Sequence, residues 1–191
     1  IKEITQEEYF SFVHQDFQVV TSPIASIDYL GTQLYLLPGS RLHFSEFELF
    51  NWQDHIGFTG ESRPHAVKAT REELCDIALC YLNAPFQAGG RSIFGLDPVL
   101  AFGLIFSIAG FGWKSGKLPG KSIPEDQALP GDLFIFRDLE KQETQFGFFL
   151  GAEEILWMEN RIKISEIEDW REFFENSASK NHVFDVRSIV G

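Results

Sequence analysis

The chain has 191 residues, of which 44% are hydrophobic and 15% aromatic, so it is long and apolar enough to bury a sizeable core. Its 28 acidic and 16 basic residues give a formal net charge of −12, which disfavours nucleic acid because phosphate binding needs clustered Lys and Arg. The longest apolar run, 98–110, is too short to span a membrane. We therefore expect a soluble protein of one or two domains, with no nucleic-acid partner and no membrane span.

The cysteines and histidines indicate neither a disulfide nor a metal site. Cys75 and Cys80 lie five residues apart in a segment of helical periodicity, where their side chains point in different directions. The five histidines show no ligand-like spacing. We expect two apolar thiols on a core helix, no metal and no cofactor. The chain begins without Met or a signal-like segment, so a cytoplasmic protein and an exported one with a removed leader both stay open.

Short β-rich runs separated by turn residues fill the range 15–62. They include "FQVVTSPIASI", "TQLYLLPGSRLHFSEF" and "NWQDHIGFTGES". Short runs of Val, Ile, Phe and Tyr between such turns are typical of small β domains. This region therefore predicts a small barrel of five or six strands, preceded by a helical turn in the first dozen residues.

Two helices are predicted next. Thr70 is placed as the N-cap of the first, and Glu73 completes a capping box. After the loop "NAPFQAGG", the segment 94–110, "FGLDPVLAFGLIFSIAG", predicts a buried helix that Asp97 caps and Pro98 begins. Proline suits this position, because the first N–H of a helix has no helical partner and the fixed φ of proline matches the helix.

From about residue 130 the apolar period changes to two. The segments "LPGDLFIFRD", "TQFGFFLGAEE", "ILWMENR" and "RIKISEIEDW" predict successive antiparallel strands, with "MENR" as a hairpin turn. Helices followed by an antiparallel sheet indicate an α+β second domain.

The N-terminus of a core helix is a position where enzymes hold reactive cysteines. Its unpaired N–H groups and partial positive charge stabilise a thiolate, and a histidine on a facing sheet then serves as the base. The order of helix and sheet in this chain fits that arrangement. Pro98 occupies the position that the thiol would take.

Four motifs in the same order make the chain resemble the NlpC-type peptidases, bacterial cell-wall cysteine peptidases with a papain-like fold. The first motif matches at Pro85, Phe86, Gly89, Gly90, Ser92, Gly95, Asp97, Ala109 and Gly110. The others are "LPGDLFIF", "QFGFFLG" and "ILWMENRIKISEI". Residues 17–62 resemble, more loosely, the bacterial SH3-like domain that precedes some of these peptidases.

The resemblance implies that the catalytic residues are replaced. It places Pro98 at the family's cysteine, Gln145 at its histidine base and Trp157 at its third polar residue. Proline has no nucleophilic atom, and glutamine takes no proton near neutral pH. We therefore expect no catalytic residue here, and we expect Gln145 to face Pro98 from the sheet.

The resemblance also implies which side chains bind a ligand. The family's aspartate before the cysteine helps to hold a substrate amine, so Asp97 is a helix cap, a retained ligand contact, or both. Ala88 replaces a family tryptophan, and Tyr29 and Ile56 stand where the SH3-like domain is expected to contribute to binding. Aromatic side chains are either core residues or the lining of an apolar cleft, namely Phe86, Phe146, Trp52 and Trp157. The predicted ligand-binding residues are Asp97, Trp157, Gln145, Phe86 and Ala88.

These observations predict an α+β chain with an SH3-like β-barrel at 15–62 and a papain-like domain at 66–190, in which a core helix packs on an antiparallel sheet. Three functions stay open. The first is an inactive NlpC-type homologue that binds a peptide, a cell-wall fragment or a protein partner in the former cleft. The second is an active γ-D-glutamyl-diamino acid type peptidase or amidase with displaced residues, such as Cys75 or Cys80. The third is a purely structural interaction module.

Overall fold

The computed structural model describes residues 5–7, 9, 16–45, 48–49, 57–112 and 118–190. The chain divides into two compact units, Ile1–Val67 (unit 1) and Lys68–Gly191 (unit 2). Among the described residues, no helix is both long enough and apolar enough to cross a membrane.

Unit 1 consists of short antiparallel strands. They are β1 (Phe17–Val20), β2 (Ala25–Tyr29), β3 (Thr32–Leu36), β4 (Arg41–Ser45), β5 (Glu48–Leu49), β6 (Gly57–Thr59) and β7 (Ser62–Pro64). They form a four-stranded sheet in the order β5-β4-β1-β7 and a three-stranded sheet in the order β3-β2-β6. The prediction of a barrel is wrong for the described residues, because these sheets are open and do not pair with each other. The SH3-like character of the unit stays a prediction.

The described part of unit 1 has a small core. Val20, Ala25 and Leu42 are buried, and three half-buried side chains pack against them, namely Ile27, Leu36 and Phe58. Burial of each large aliphatic side chain contributes about 1.5–3 kcal/mol, so a cluster of this size stabilises the unit only modestly.

Unit 2 contains three helices and eight strands among its described residues. The helices are α1 (Arg71–Leu79), α2 (Pro98–Ile108) and α3 (Ile167–Glu175). The strands are β8 (Arg91–Ser92), β9 (Gly95–Leu96), β10 (Lys121–Ile123), β11 (Leu133–Asp138), β12 (Glu143–Gly151), β13 (Glu154–Met158), β14 (Ile162–Glu166) and β15 (His182–Ser188). A 3₁₀ turn lies at Glu125–Gln127.

The helix α3 and the strand β15 are not among the elements predicted from the sequence. The segment "RIKISEIEDW" was predicted as strand throughout, but its strand ends at Glu166 and α3 follows at once. Ile167, Trp170 and Phe174 have the i, i+3, i+7 spacing of one helix face, which is a helical signal that the alternation before it obscures.

The main sheet of unit 2 has six antiparallel strands in the order β10-β15-β11-β12-β13-β14. Residues directly opposite each other in paired strands share a face of the sheet, and neighbours along a strand alternate between faces. Phe146 and Phe148 of β12 contact Phe102 and Phe106 of α2, so we call their side of the sheet the α2 face.

The opposite side, the α3 face, holds an aromatic core. Trp170 of α3 is fully buried, and its ring contacts Phe134, Phe174 and Phe184 at centroid distances of 6.4, 5.6 and 5.6 Å. Gly147 of β12 makes this close approach possible. A Cβ at that position would lie 3.2 Å from the Trp170 ring and would overlap the side chain of Ile155.

Polar contacts fix α1 to the end of the sheet. Thr70 and Glu73 form the predicted capping box, which is confirmed. Arg71 follows the cap, and its Nη1 donates to the carbonyl of Pro130 at 2.7 Å and to Asp132 at 2.9 Å. Its Nη2 donates to Ser188 and to the carbonyl of Val190. Asp132 is only 1% exposed, so removal of Arg71 would leave its buried charge uncompensated. This ion pair therefore anchors the helix.

Candidate functional site

The site begins at the N-terminus of α2, where Asp97 is the N-cap and Pro98 the first helical residue. Asp97 Oδ1 accepts hydrogen bonds from the N–H groups of Val99 at 3.0 Å and Leu100 at 3.4 Å. Its Oδ2 accepts one from the N–H of Gly89 at 3.1 Å. Both carboxylate oxygens therefore accept hydrogen bonds from backbone N–H groups. The predicted cap is confirmed, and a role for Asp97 in ligand binding stays a prediction.

The loop before α2 is held by the backbone. Phe86 forms a bridge with Leu96, and the N–H of Asp97 donates to the carbonyl of Gly90 at 3.0 Å. A Cβ at Gly90 would lie 2.4 Å from the carbonyl oxygen of Gly95, so only glycine permits this contact. The glycines of the motif thus have a structural reason that is independent of catalysis.

Apolar side chains near this loop are exposed. Phe86 is 52% exposed, Phe94 at the β8–β9 turn 65% and Val99 in the first turn of α2 49%. Ala88 is exposed as well. Phe86 and Ala88 are among the predicted ligand-binding residues, whereas Phe94 and Val99 are not. The sequence signal for Phe94 is its position as an apolar residue at the tip of the turn in "RSIFGL".

Gln145 and Trp157 do not meet Pro98. Gln145 precedes Phe146 in β12 and therefore points to the α3 face, whereas α2 lies on the other side. Gln145 is paired with Phe136 and lines a small cavity of about 20 Å³ together with Phe136, Phe174, Asp138 and Lys141. This volume holds about one water molecule. The expectation that Gln145 faces Pro98 is wrong, because one position along a strand exchanges the two faces.

Trp157 is a core residue of the α3 face. It is 2% exposed, and its ring lies 5.0 Å from Phe173 and 5.3 Å from Phe174. Its Nε1 donates to Ser165 Oγ at 2.8 Å, and Lys163 Nζ lies 4.3 Å above the ring. The indole N–H thus has a hydrogen-bond acceptor, and almost none of the side-chain surface is accessible to a ligand. Of the predicted ligand-binding residues, only Asp97, Phe86 and Ala88 lie together at the start of α2.

On the α2 face the sheet presents apolar side chains to the helix. Phe102 lies 6.0 Å from Phe146 and Phe106 lies 6.0 Å from Phe148, so helix and strand run in the same direction. The start of α2 therefore lies toward the Thr144 end of β12 on this face. Phe146 was predicted as either core or cleft lining, and at 7% exposure it is core.

The thiols lie on α1 and at its end, away from this loop in sequence. Cys75 and Cys80 are both half-buried and form no disulfide. Burial raises the pKa of the Cys75 thiol, with a further contribution from the nearby Asp76. A raised pKa is the opposite of what an activated nucleophile needs.

Several other predicted contributors lie elsewhere. Tyr29 is the last residue of β2 in unit 1 and is 38% exposed. Trp52 and Ile56 lie outside the described residues. No group of three or more His, Cys, Asp or Glu side chains in the described part of the chain is placed to hold a metal ion.

Comparisons with known proteins agree with the fold. No protein-family model and no curated protein matches the sequence. An NlpC/P60 family protein from Bacillus cereus has a similar structure, with a TM-score of 0.74 at 16% identity over 97% of this chain and 67% of that chain. NlpC2 of Trichomonas vaginalis gives a TM-score of 0.52 at 14% identity over 91% of this chain and 72% of its own. NlpC1 of the same organism gives 0.53 at 16% over 92% and 69%. This chain therefore has the α+β fold of NlpC/P60 proteins.

Proposed function

We propose that this chain is a catalytically inactive NlpC-type homologue that binds a peptide or a cell-wall peptide fragment around the start of α2. In this proposal residues 15–62 form the SH3-like domain and residues 66–190 the papain-like domain. The observation that carries it is the combination of an intact helix cap with the absence of a thiol and an imidazole at the reactive positions.

The reactive positions lack a thiol and an imidazole whichever register of the motif match is used. The three neighbouring positions at each element are Asp-Pro-Val at 97–99, Thr-Gln-Phe at 144–146 and Leu-Trp-Met at 156–158. None of these nine residues is a cysteine or a histidine, so a shift of one position in either direction restores no thiol–imidazole pair.

A displaced nucleophile has little support. Cys75 belongs to α1, is half-buried, and has a raised pKa. A thiol with these properties is mostly protonated at neutral pH and reacts slowly.

The surface around Asp97 supports binding. Phe86, Phe94 and Val99 occupy the loop, the hairpin and the first helical turn that surround the cap, and each is about half exposed or more. Exposed apolar groups that are concentrated in one region mark interaction sites more often than single ones do. A loop held by hydrogen bonds to Asp97 and Gly90 presents them without a large loss of entropy on binding.

The first experiment tests inactivity. The purified full chain is incubated with a cell-wall tetrapeptide and with a γ-D-glutamyl dipeptide, and released amines are quantified with and without iodoacetamide. We expect no hydrolysis under either condition. Cleavage that iodoacetamide abolishes, together with rapid labelling of Cys75 or Cys80, would establish the displaced-nucleophile alternative instead.

The second experiment tests binding. The same peptides are titrated into the wild-type chain and into Phe94→Ser by calorimetry, with Leu139→Ser as the matched control because Leu139 is also exposed, at 45%. We expect Phe94→Ser to weaken binding while Leu139→Ser leaves it unchanged. Equal affinities in all three proteins, or no heat of binding with the wild type, contradict this site.

A further inference from the structure

Within the described part of unit 1, the β2–β3 hairpin has an open strand edge at β3. Among the described strands β3 pairs only with β2. Residues 32–35 are all exposed, including Leu34 at 46% and Tyr35 at 70%. A strand with apolar side chains and an open edge is a template for pairing with another strand.

The register of the hairpin shows which backbone groups are available. Tyr29 and Thr32 flank a two-residue turn and therefore form a hydrogen-bonded pair, as do Ile27 and Leu34. The intervening residues of β3 direct their N–H and C=O groups away from β2. Gln33 and Tyr35 thus present two donors and two acceptors along the open edge.

Strand β3 itself contains neither a charged residue nor a proline. Residues 29–40 contain no charged side chain, although 23% of the chain is charged. At the tip, Leu30 is 74% exposed and has a φ of 51°, a left-handed conformation that leucine rarely adopts. Natural sheets normally protect their edges with Lys, Pro or bulges.

We propose that two copies of the chain pair along β3, antiparallel about a two-fold axis at Leu34. In this register Gln33 of each copy lies opposite Tyr35 of the other. Each such pair exchanges two N–H···O bonds, so four bonds use all the outward groups of both residues. The two three-stranded sheets become one six-stranded sheet.

The side chains agree with this register. The two Leu34 side chains meet at the axis on the face that carries Ile27 and Leu36, which pack against the small core of unit 1. Pairing therefore extends that core across the interface. A two-fold interface uses the same patch on both copies, and a neutral, self-complementary edge meets this condition.

Charge favours a second copy at this edge over other surfaces of the molecule. Each copy carries a net charge of −12, so contact between acidic surfaces costs electrostatic repulsion. The uncharged stretch 29–40 allows two copies to approach with the least like-charge repulsion.

The first experiment measures mass. Light scattering on the full chain over a wide concentration range is expected to approach twice the 21.8 kDa of one chain. Leu34→Lys puts two like charges at the axis and is expected to weaken dimerisation at least about tenfold, which corresponds to 1.4 kcal/mol. Leu139→Lys, an equally exposed leucine, should leave the dissociation constant unchanged. A wild-type chain that stays monomeric, or a dimer that Leu34→Lys does not weaken, overturns the proposal.

The second experiment tests the register itself. In a Cys75→Ser/Cys80→Ser background, Leu34→Cys places two thiols at the axis with Cα atoms about 4.5 Å apart, within disulfide range. Oxidation is expected to give a cross-linked dimer that reductant separates. Thr32→Cys is the control, because its two Cα atoms would lie about 14 Å apart in this register. Cross-linking at position 32 and not at 34 contradicts the proposed pairing.

Discussion

The residues that resemble the family motifs have different surroundings on the two faces of the six-stranded sheet in unit 2. On the α2 face the helix cap and the glycine loop are intact, with Asp97 bonded to three backbone N–H groups. On the α3 face Gln145 and Trp157 belong to an aromatic core and a small cavity. The motifs thus have different structural roles. Those before α2 preserve a shaped loop, whereas those in β12 and β13 preserve packing.

The largest expected effect lies on the α3 face. Trp170→Ala removes a fully buried ring that contacts Phe134, Phe174 and Phe184, and we expect a loss of about 3–5 kcal/mol of unfolding free energy. Trp170→Phe should cost much less, because the buried Nε1 has no hydrogen-bond partner among the described residues. Urea denaturation of both variants measures the difference. Equal losses in the two variants would contradict this expectation.

The next test concerns Asp138, the last residue of β11. Asp138 accepts bonds from the N–H groups of Ser179, Lys141 and Glu140 and from Ser179 Oγ. The Ser179 N–H, followed by the others, holds the pKa of Asp138 well below its usual value of 3.8, although burial opposes this. Its contribution to stability is therefore present above pH 3.8 and is lost as the pH falls further below that value.

We accordingly expect Asp138→Asn to be less stable than the wild type at neutral pH, with a difference that shrinks as the solution is acidified. Acid titration of thermal stability checks this. Asp126→Asn, which removes an exposed carboxylate, serves as the control. A difference that stays constant down to acid pH would mean that the carboxylate charge does not stabilise the fold.

A smaller effect is expected on the α2 face. Asp97→Ala removes the cap of α2 and the bond to Gly89, and we expect a loss of about 1–2 kcal/mol. Asp97→Asn keeps an acceptor for the helix and should lose less than half of that. Hydrogen exchange at Gly89 and Val99 reports the local effect. Unchanged exchange in Asp97→Ala would show that the loop is held by other contacts.

The smallest effect separates the two faces directly. In Pro98→Cys the helix N-terminus should lower the thiol pKa. Adding Gln145→His should change it no further, because that imidazole lies across the sheet, whereas adding Thr144→His on the α2 face should raise the rate of iodoacetamide labelling. Labelling rates measured against pH decide between them. Activation by Gln145→His alone would show that β12 presents its other face to α2.

Local features of the fold were predictable from the sequence. The capping box at Thr70 and Glu73, the cap at Asp97 with Pro98 after it, and the hairpin between β13 and β14 depend on residues close in the chain. Their signals are short and have a direct physical cause.

Features set by distant contacts were not predictable. Matching "QFGFFLG" to a motif fixed its order in the chain, but which face Gln145 occupies depends on the pairing of β12 with β11 and β13. Barrel closure in unit 1 likewise depends on strands far apart in sequence. The helix α3 was missed because the alternation of Ile162 and Ile164 in β14 runs directly into it, with no loop residue between Glu166 and Ile167.

Gly147 limits how such a chain can change. Sliding β12 by one residue would bring a phenylalanine to this position, where a Cβ alone would overlap the Ile155 side chain and lie 3.2 Å from the Trp170 ring. The close packing of Trp170 against Gly147 therefore fixes the register of β12. Within β12, an imidazole that is to pair with a thiol at position 98 would therefore have to lie on the α2 face, for example at Thr144, because a histidine at position 145 would stay on the α3 face.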